Sequence, residues 1–288
     1  MPESVIIALD VGGSSVKSGI VTDNLTIDNI QSTPVDSKGS AEHILGTFAT
    51  IVARYLAQYN SVRGIGIGFP SPFDYENGIS LIQGVDKYEA ILNVDVGKAI
   101  REGVNQPDLL IRFRNDAEAA LVGEAVYGAG KPYARFIGLT LGTGMGSSFI
   151  VDGKRVESGK GIPDGGFLFP VKFRDEQSDE WFSTRGLLRR FEQAGKPFDS
   201  VAEGAKAAIS DSTIQQTFVD FGRDMATFIQ PFLDSFEAEA LLVTGGIENT
   251  YHLFGEALEN GVSVPVIRGE LGTKAALLGA ADLILRQD

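Results

Sequence analysis

Short, almost wholly apolar runs alternate along the chain with longer stretches whose apolar residues recur every three or four positions. VIIALDV (Val5–Val11), VRGIGIGF (Val62–Phe69), DLLIRF (108–113), RFIGLTL (Arg135–Leu141) and EALLVTG (239–245) are of the first kind and predict strands. AEHILGTFATIVARYLAQY (41–59) and STIQQTFVDFGRDMATFIQPFL (212–233) are of the second kind and predict helices. Strands alternating with helices predict an α/β architecture in which sheets are covered by helices.

The strand-like runs contain an internal echo. LDVGGSSVKSGIV (9–21) can be written over LTLGTGMGSSFIV (139–151). The leading Leu, the apolar residue two positions on, the first Gly, a central Ser and the closing Ile-Val all fall in register. Each copy reads as strand, Gly-rich turn, strand. Such a turn lets the backbone approach a ligand closely and aim N–H groups at it, which suits phosphate oxygens. One glycine turn is an ordinary hairpin feature. Two copies, each opening a new run of strands, point to two related lobes rather than two unrelated hairpins. A third turn, LLVTGGIENTYHLF (241–254), reads as strand, Gly-Gly, helix, so that a helix N-terminus could face an anion or a flat ring. None of the three is a Walker A motif. The glycines of the first precede a second strand, not the long helix of a dinucleotide fingerprint.

RNDAEAALVGEA (114–125) sets two polar residues where the strand-like LLIRF (109–113) hands over to helical sequence. Asn115 followed three residues later by Glu118 is a capping-box-like pattern. The same junction is where open α/β sheets hold their ligands, so Asp116 is also a candidate base. On these residues alone both readings stand.

Composition narrows the partners. Of 288 residues 43% are hydrophobic and 22% charged, ordinary for a globular protein of one large or two moderate domains. The 35 glycines gather in a few turns without period, which argues for shaped loops. Net charge is −13 with no basic run, so nucleic acid is not an expected partner. There is no Cys, which excludes disulfides and thiolate metal sites and fits a reducing compartment, and His43 and His252 are too few for a His-rich metal site. The N-terminal MPESVIIALDVGG lacks a basic n-region and reads as a strand, not a signal peptide. No apolar segment approaches bilayer-spanning length, so no membrane role is expected and the expected location is cytoplasmic.

Taken in order, the first turn LDVGGSSVKSGIV, the GFPSPFDYENG stretch, the Asn-Asp of RNDAEAALVGEA, the second turn LTLGTGMGS and LLVTGGI resemble the ROK family of sugar kinases, within the actin-like and hexokinase-like ATPase superfamily. The resemblance covers essentially the whole chain. It implies a two-lobe actin-like ATPase (ribonuclease H-like) fold, each lobe a mixed sheet flanked by helices, around a cleft. The first lobe is expected over 1–114 plus 275–288, with the terminal helix GTKAALLGAADLILRQ returning to it, and the second over 115–274. Nucleotide phosphates would lie between the two turns, with Mg²⁺ positioned by Asp10 directly or through water. Gly12, Gly13, Lys17, Gly142, Thr143 and Gly144 would meet phosphate, and Gly245 and Gly246 would border adenosine. Asp116 matches the family's catalytic Asp and Asn115 a sugar-binding Asn. Some family kinases are dimers or tetramers, which leaves a homodimer open.

The chain departs from the family where many members carry a Glu-Ile-Gly-His segment and a Cys-rich zinc motif. Here the stretch is GIPDGGFLFPVKFRDEQSDEWFSTRGLL, with Asp164 in place of that Glu and Phe167 in place of that His. Phe can neither accept a sugar hydroxyl nor bind zinc, so no zinc is expected. Glu180 matches a sugar-contacting Glu, its other reading being a solvated charge in an acidic run. TLGTGMGS, GVDKYE and the aromatic pair after Glu180 are similar to the polyphosphate glucokinases of the family. The expected activity is transfer of the terminal phosphoryl group of ATP to a hexose, a glucose-like sugar first. Polyphosphate as donor is the alternative, and Lys17, Lys154, Arg155 and Lys160 are the cations that could line its track. A catalytically degenerate sugar-binding or sensing module is the second alternative. A repressor of the same family is not expected, since the first turn begins at Asp10 and leaves no room for a helix-turn-helix domain.

Overall fold

The apolar run at the start of the chain pairs with the segment that follows its glycine turn, and everything in the first sheet is built outward from that hairpin. A computed structural model describes residues 4–286. Its first elements are β1 (Val5–Val11), β2 (Ser15–Thr22), β3 (Ile27–Pro34), α1 (Ala41–Leu56), β4 (Val62–Phe69), the short pair β5 (Phe73–Asp74) and β6 (Ile79–Ser80), α2 (Val96–Gly103), β7 (Ile111–Asn115) and α3 (Asp116–Tyr127). There follow β8 (Arg135–Leu141), β9 (Met145–Val151), β10 (Lys154–Val156), β11 (Lys172–Phe173), β12 (Glu176–Gln177), α4 (Ser178–Phe182), α5 (Thr184–Gln193), α6 (Val201–Ala207) and α7 (Ser212–Phe236). The last elements are β13 (Ala240–Thr244), α8 (Tyr251–Glu259), β14 (Val266–Arg268) and α9 (Lys274–Leu285).

The chain divides into two compact units, one made of the residues up to Gly123 together with those from Thr273 onward, the other of Glu124–Gly272. Each holds a five-stranded sheet, ordered β3-β2-β1-β4-β7 in the first and β10-β9-β8-β13-β14 in the second. In both, the first three strands of that order pair antiparallel, and the third, fourth and fifth pair parallel. The two sheets thus have one topology, as the echo between 9–21 and 139–151 implies.

Burial follows the sequence pattern. Central β1 is buried along nearly its whole length, whereas the edge strand β3 alternates half-buried and exposed residues. Ser40 caps α1 by accepting the His43 N–H, and the helix buries Ile44, Phe48, Ile51, Val52 and Tyr55 at helical spacing. In the second unit Asp211 caps α7 through the Thr213 and Ile214 N–H groups. Phe218, Phe221 and Phe228 of α7 join Phe182 and Phe191 in an aromatic core.

Several boundaries differ from the sequence expectation. The run expected as a strand over 108–113 forms β7 at Ile111–Asn115 instead, because β4 continues to Phe69 and holds Asn115 as its partner. Helix α1 stops at Leu56, where the Gln58 and Tyr59 N–H groups both turn back to the Tyr55 carbonyl. Helix α7 runs on to Phe236 and ends at Glu237 in a left-handed conformation. A 3-10 turn, Gly246–Thr250, intervenes between β13 and α8. The expected terminal helix is α9, and its proposed last residue, Gln287, lies outside the described residues, as do the chain ends assigned to the first lobe. Among the described residues no helix is long and apolar enough to cross a membrane.

Helix α9 belongs to the first unit and is almost entirely buried, which its small residues make feasible. A Cβ at Gly279 would lie 1.8 Å from the Ala119 carbonyl oxygen on α3. Gly279→Ala is therefore expected to cost about 3 kcal/mol or more in unfolding free energy, since backbone rather than a side chain must move. Gly46, exposed inside α1 with nothing within 4 Å of its missing Cβ, is the control. Gly46→Ala should stabilise by roughly 0.5–1 kcal/mol. Urea titrations of the two variants and the parent check both signs.

Candidate active site

In the first unit the β1–β2 turn is held from behind. The Gly12 N–H donates to the Ser15 carbonyl at 3.0 Å, the Val35 N–H to Ser14 O at 3.0 Å, the Ser37 hydroxyl to Gly13 O at 2.5 Å and the Tyr88 hydroxyl to Gly12 O at 2.6 Å. Four consecutive carbonyls are thus engaged. Among the described residues the N–H groups of Gly13 and Ser14 have no acceptor, and both residues are exposed. A backbone with its carbonyls tied back and its N–H groups free presents partial positive charge to an anion.

The second unit repeats the device with other residues. The Thr184 N–H and hydroxyl, at the start of α5, both donate to Gly142 O, at 2.8 and 2.9 Å, and the Gly142 N–H donates to Gly144 O at 3.1 Å. Thr143 and Gly144 are exposed, and their N–H groups have no acceptor among the described residues. The Met145 N–H is taken by Asp179 at 2.6 Å, and Arg185 neutralises Asp179 and Glu180 together. Glu180 is thereby an exposed ion-pair partner, whereas its neighbour Asp179 touches the turn. Asp164 is exposed on a 3-10 turn. The stretch after it is pinned by the Ser147 hydroxyl, which donates to Gly166 O and accepts the Leu168 N–H, and by Arg155 stacked over Phe167. Gly245 has φ 101°, and a Cβ there would meet the Leu141 carbonyl oxygen at 2.5 Å. Only glycine lets β13 leave the sheet against the residue that enters the second turn.

Asn115 and Asp116 stand where β7 becomes α3. The Asn115 side-chain oxygen accepts the Glu118 N–H at 3.1 Å, so the capping reading holds, while its amide donates to the Tyr75 hydroxyl at 3.2 Å. Asp116 Oδ1 accepts the Ala117 N–H at 2.9 Å. Burial pushes the Asp116 carboxyl above the usual carboxylate range, opposed by that N–H, by the charge of Lys87 and by Asn115. Asp10, on β1, is lifted by burial from 3.8 to about 6, against the pull of Lys17 and with a further push from Asp116. Lys17 faces it across the hairpin at 3.9 Å and is 41% exposed, a loose partner.

Asp10, Gly12, Gly13, Lys17, Asn115 and Asp116 therefore share the first unit, and Gly142, Thr143, Gly144, Asp164, Glu180, Gly245 and Gly246 the second. Sequence reasoning passed over Ser37, Lys87, Tyr88, Asp179 and Thr184. They sit in loops or at a helix start, with no periodicity to mark them. Among the described residues no group of three or more His, Asp or Glu side chains gathers as a metal cage.

The glucokinase of Thermotoga maritima is 26% identical to the chain, covering 99% of it and 98% of its own length. The crystal structure of a ROK family glucokinase from Streptomyces griseus with glucose and AMPPNP matches with a TM-score of 0.77 at 21% identity, over 97% of this chain and 99% of that one. An inorganic polyphosphate/ATP-glucomannokinase from Arthrobacter sp. strain KM matches with a TM-score of 0.71 at 23% identity, over 98% of each. These solved structures share the two-lobe α/β fold. The sequence model described as the ROK family matches residues 6–167, across both glycine hairpins and the Asn-Asp junction between them, and the chain belongs to that family.

Proposed function

We propose that the protein is a sugar kinase that transfers the terminal phosphoryl group of ATP to a hydroxyl of a hexose, glucose or a close relative. One observation carries the reading. A carboxylate raised by burial, Asp116, is fixed at a helix start in the same unit as a turn whose N–H groups are free for phosphate. The glucokinases among its relatives support the sugar class.

In this reading a sugar hydroxyl oxygen attacks the terminal phosphorus, and the bond from phosphorus to the bridging oxygen breaks. The nucleoside diphosphate leaves with that electron pair, and the hydroxyl proton passes to Asp116. Such a transfer needs positioning and charge neutralisation more than covalent help. Asn115, already held by its bonds to the Glu118 N–H and the Tyr75 hydroxyl, is the proposed partner of a neighbouring sugar hydroxyl. Asp164 and Glu180 are the proposed sugar contacts of the second unit. Gly12, Gly13, Lys17, Gly142, Thr143 and Gly144 would meet the phosphates, and Gly245 and Gly246 the adenosine.

Magnesium fits this residue set. Asp10 is a hard oxygen ligand, largely buried, with Lys17 at 3.9 Å as a loose cationic partner. Mg²⁺ is commonly held by one or two carboxylates, water and substrate phosphates. When bound it neutralises phosphate charge, with Asp10 the residue that would hold it.

The test is phosphorylation of glucose, N-acetylglucosamine, N-acetylmannosamine, mannose and fructose with Mg-ATP and, separately, with polyphosphate, using Asp116→Asn as the blank. Product absent from the blank establishes the kinase and names sugar and donor together. Sugar binding without turnover under any pair would sink the kinase reading in favour of a sensing module.

A further inference from the structure

The loop between β6 and α2 carries a lysine that neither the capping pattern nor the glycine turns explain. Lys87 Cδ lies 3.8 Å from where a Cβ of Gly13 would stand, so the side chain runs along the exposed face of the first turn. Its position is built. Tyr88, the next residue, is buried in a left-handed conformation with φ 57°. Its N–H donates to Ser37 O at 2.6 Å and its hydroxyl to Gly12 O at 2.6 Å, while the Ser37 hydroxyl donates to Gly13 O at 2.5 Å. The residue after Lys87 is therefore clamped to both glycines of the turn. A bulky side chain at positive φ is unfavourable in itself, and here three bonds offset it.

Lys87 also has no carboxylate within ion-pair reach among the described residues. The nearest acidic neighbours in sequence are engaged elsewhere, Asp86 by Lys38 and Glu89 by the Asp86 N–H. The lysine is thus carried past a turn whose Gly13 and Ser14 N–H groups have no acceptor among the described residues. Positive charge gathered on one face of a turn in this way suits an anionic group. The same charge reaches Asp116.

We infer that Lys87 binds the terminal phosphate of the phosphoryl donor, bringing a fixed positive charge to the group that is transferred. This rests on the kinase reading for its reaction but not for its binding. Lysine serves as a point charge for phosphate, and neutralising charge on the transferring group is where phosphoryl transfer gains most. Both ATP and a linear polyphosphate end in the chemistry this residue would grip.

Inorganic tripolyphosphate, titrated calorimetrically into the parent, Lys87→Met and Lys87→Arg, is the direct test. Lys87→Met is expected to bind roughly 10–100-fold more weakly, with Lys87→Arg close to the parent, as for loss and rescue of a charge-assisted contact. In turnover, Lys87→Met should lose a similar factor in kcat/KM for the donor while KM for the sugar stays put. Equal affinity of Lys87→Met and parent for tripolyphosphate overturns the inference, even if sugar is phosphorylated. So does a parent that binds no tripolyphosphate. A Lys87→Met whose only change is an acid limb moved to higher pH would make Lys87 a tuner of Asp116 and also overturn it. Lys87-dependent binding in a protein that phosphorylates no sugar would uphold the inference and defeat the kinase reading instead.

Discussion

Asp116→Asn is expected to lower kcat by about 10²- to 10⁴-fold while sugar affinity changes little, the range associated with loss of a general base. The amide oxygen can still accept the Ala117 N–H, so the start of α3 keeps its geometry. What is lost is the ability to receive the hydroxyl proton. In the parent, kcat should fall as pH drops through a value above the usual carboxylate range, because burial favours the neutral form of Asp116. Asn at 116 removes that limb along with the activity. Steady-state kinetics between pH 5 and 9, with sugar affinity followed calorimetrically, would check both halves. A variant with near-parent kcat would move the proton acceptor elsewhere.

Asp10→Asn should do the opposite to stability from what it does to activity. A carboxyl whose folded pKa is raised binds its proton more tightly in the native state, so stability falls as pH climbs from the unfolded value through the folded one. For Asp10 that window runs from 3.8 to about 6. At 1.36 kcal/mol per pH unit the cost of ionising it in the fold is on the order of 3 kcal/mol above that window. Asn carries no such cost. The variant is expected to unfold at higher urea than the parent at pH 8 and at about the same urea near pH 4, while losing turnover. Equal stability at pH 8 would mean the carboxylate is well solvated or well paired, and would remove the reason for seating a cation beside it.

The fold was legible because its information is repeated. The echo between LDVGGSSVKSGIV and LTLGTGMGSSFIV returns as two sheets of one strand order, and the hairpin at each start is the part the periodicity marks most clearly. Asn115 and Asp116 were legible because capping chemistry and a strand–helix junction leave a local signature. The brace behind the first turn was not. Ser37 and Tyr88 reach it across 24 and 76 residues of sequence, and the conformation that aims Lys87 depends on a backbone angle no pattern encodes. Asp179, which accepts the Met145 N–H of the second turn, likewise carries no mark in the acidic run that contains it. Glu124 is a further case. In ALVGEA it reads as one more helix residue, yet it is fully buried and accepts the Ala129, Glu270 and Leu271 N–H groups at 3.1, 3.2 and 2.9 Å.

The placement of α9 has a consequence for the order in which the protein is made. Residues Glu124–Gly272 are contiguous and can close their sheet and aromatic core as soon as they leave the ribosome. The unit that emerges first cannot. Its β4 and α3 present backbone to Gly279 and Ala280 of α9, so Asp10, Lys87 and Asp116 wait until the whole of Glu124–Gly272 has been made for the element that completes their unit. A premature stop just after residue 272 would leave the later-made half whole and strand the earlier one, a nascent chain with its proposed base in place and nothing to pack it against.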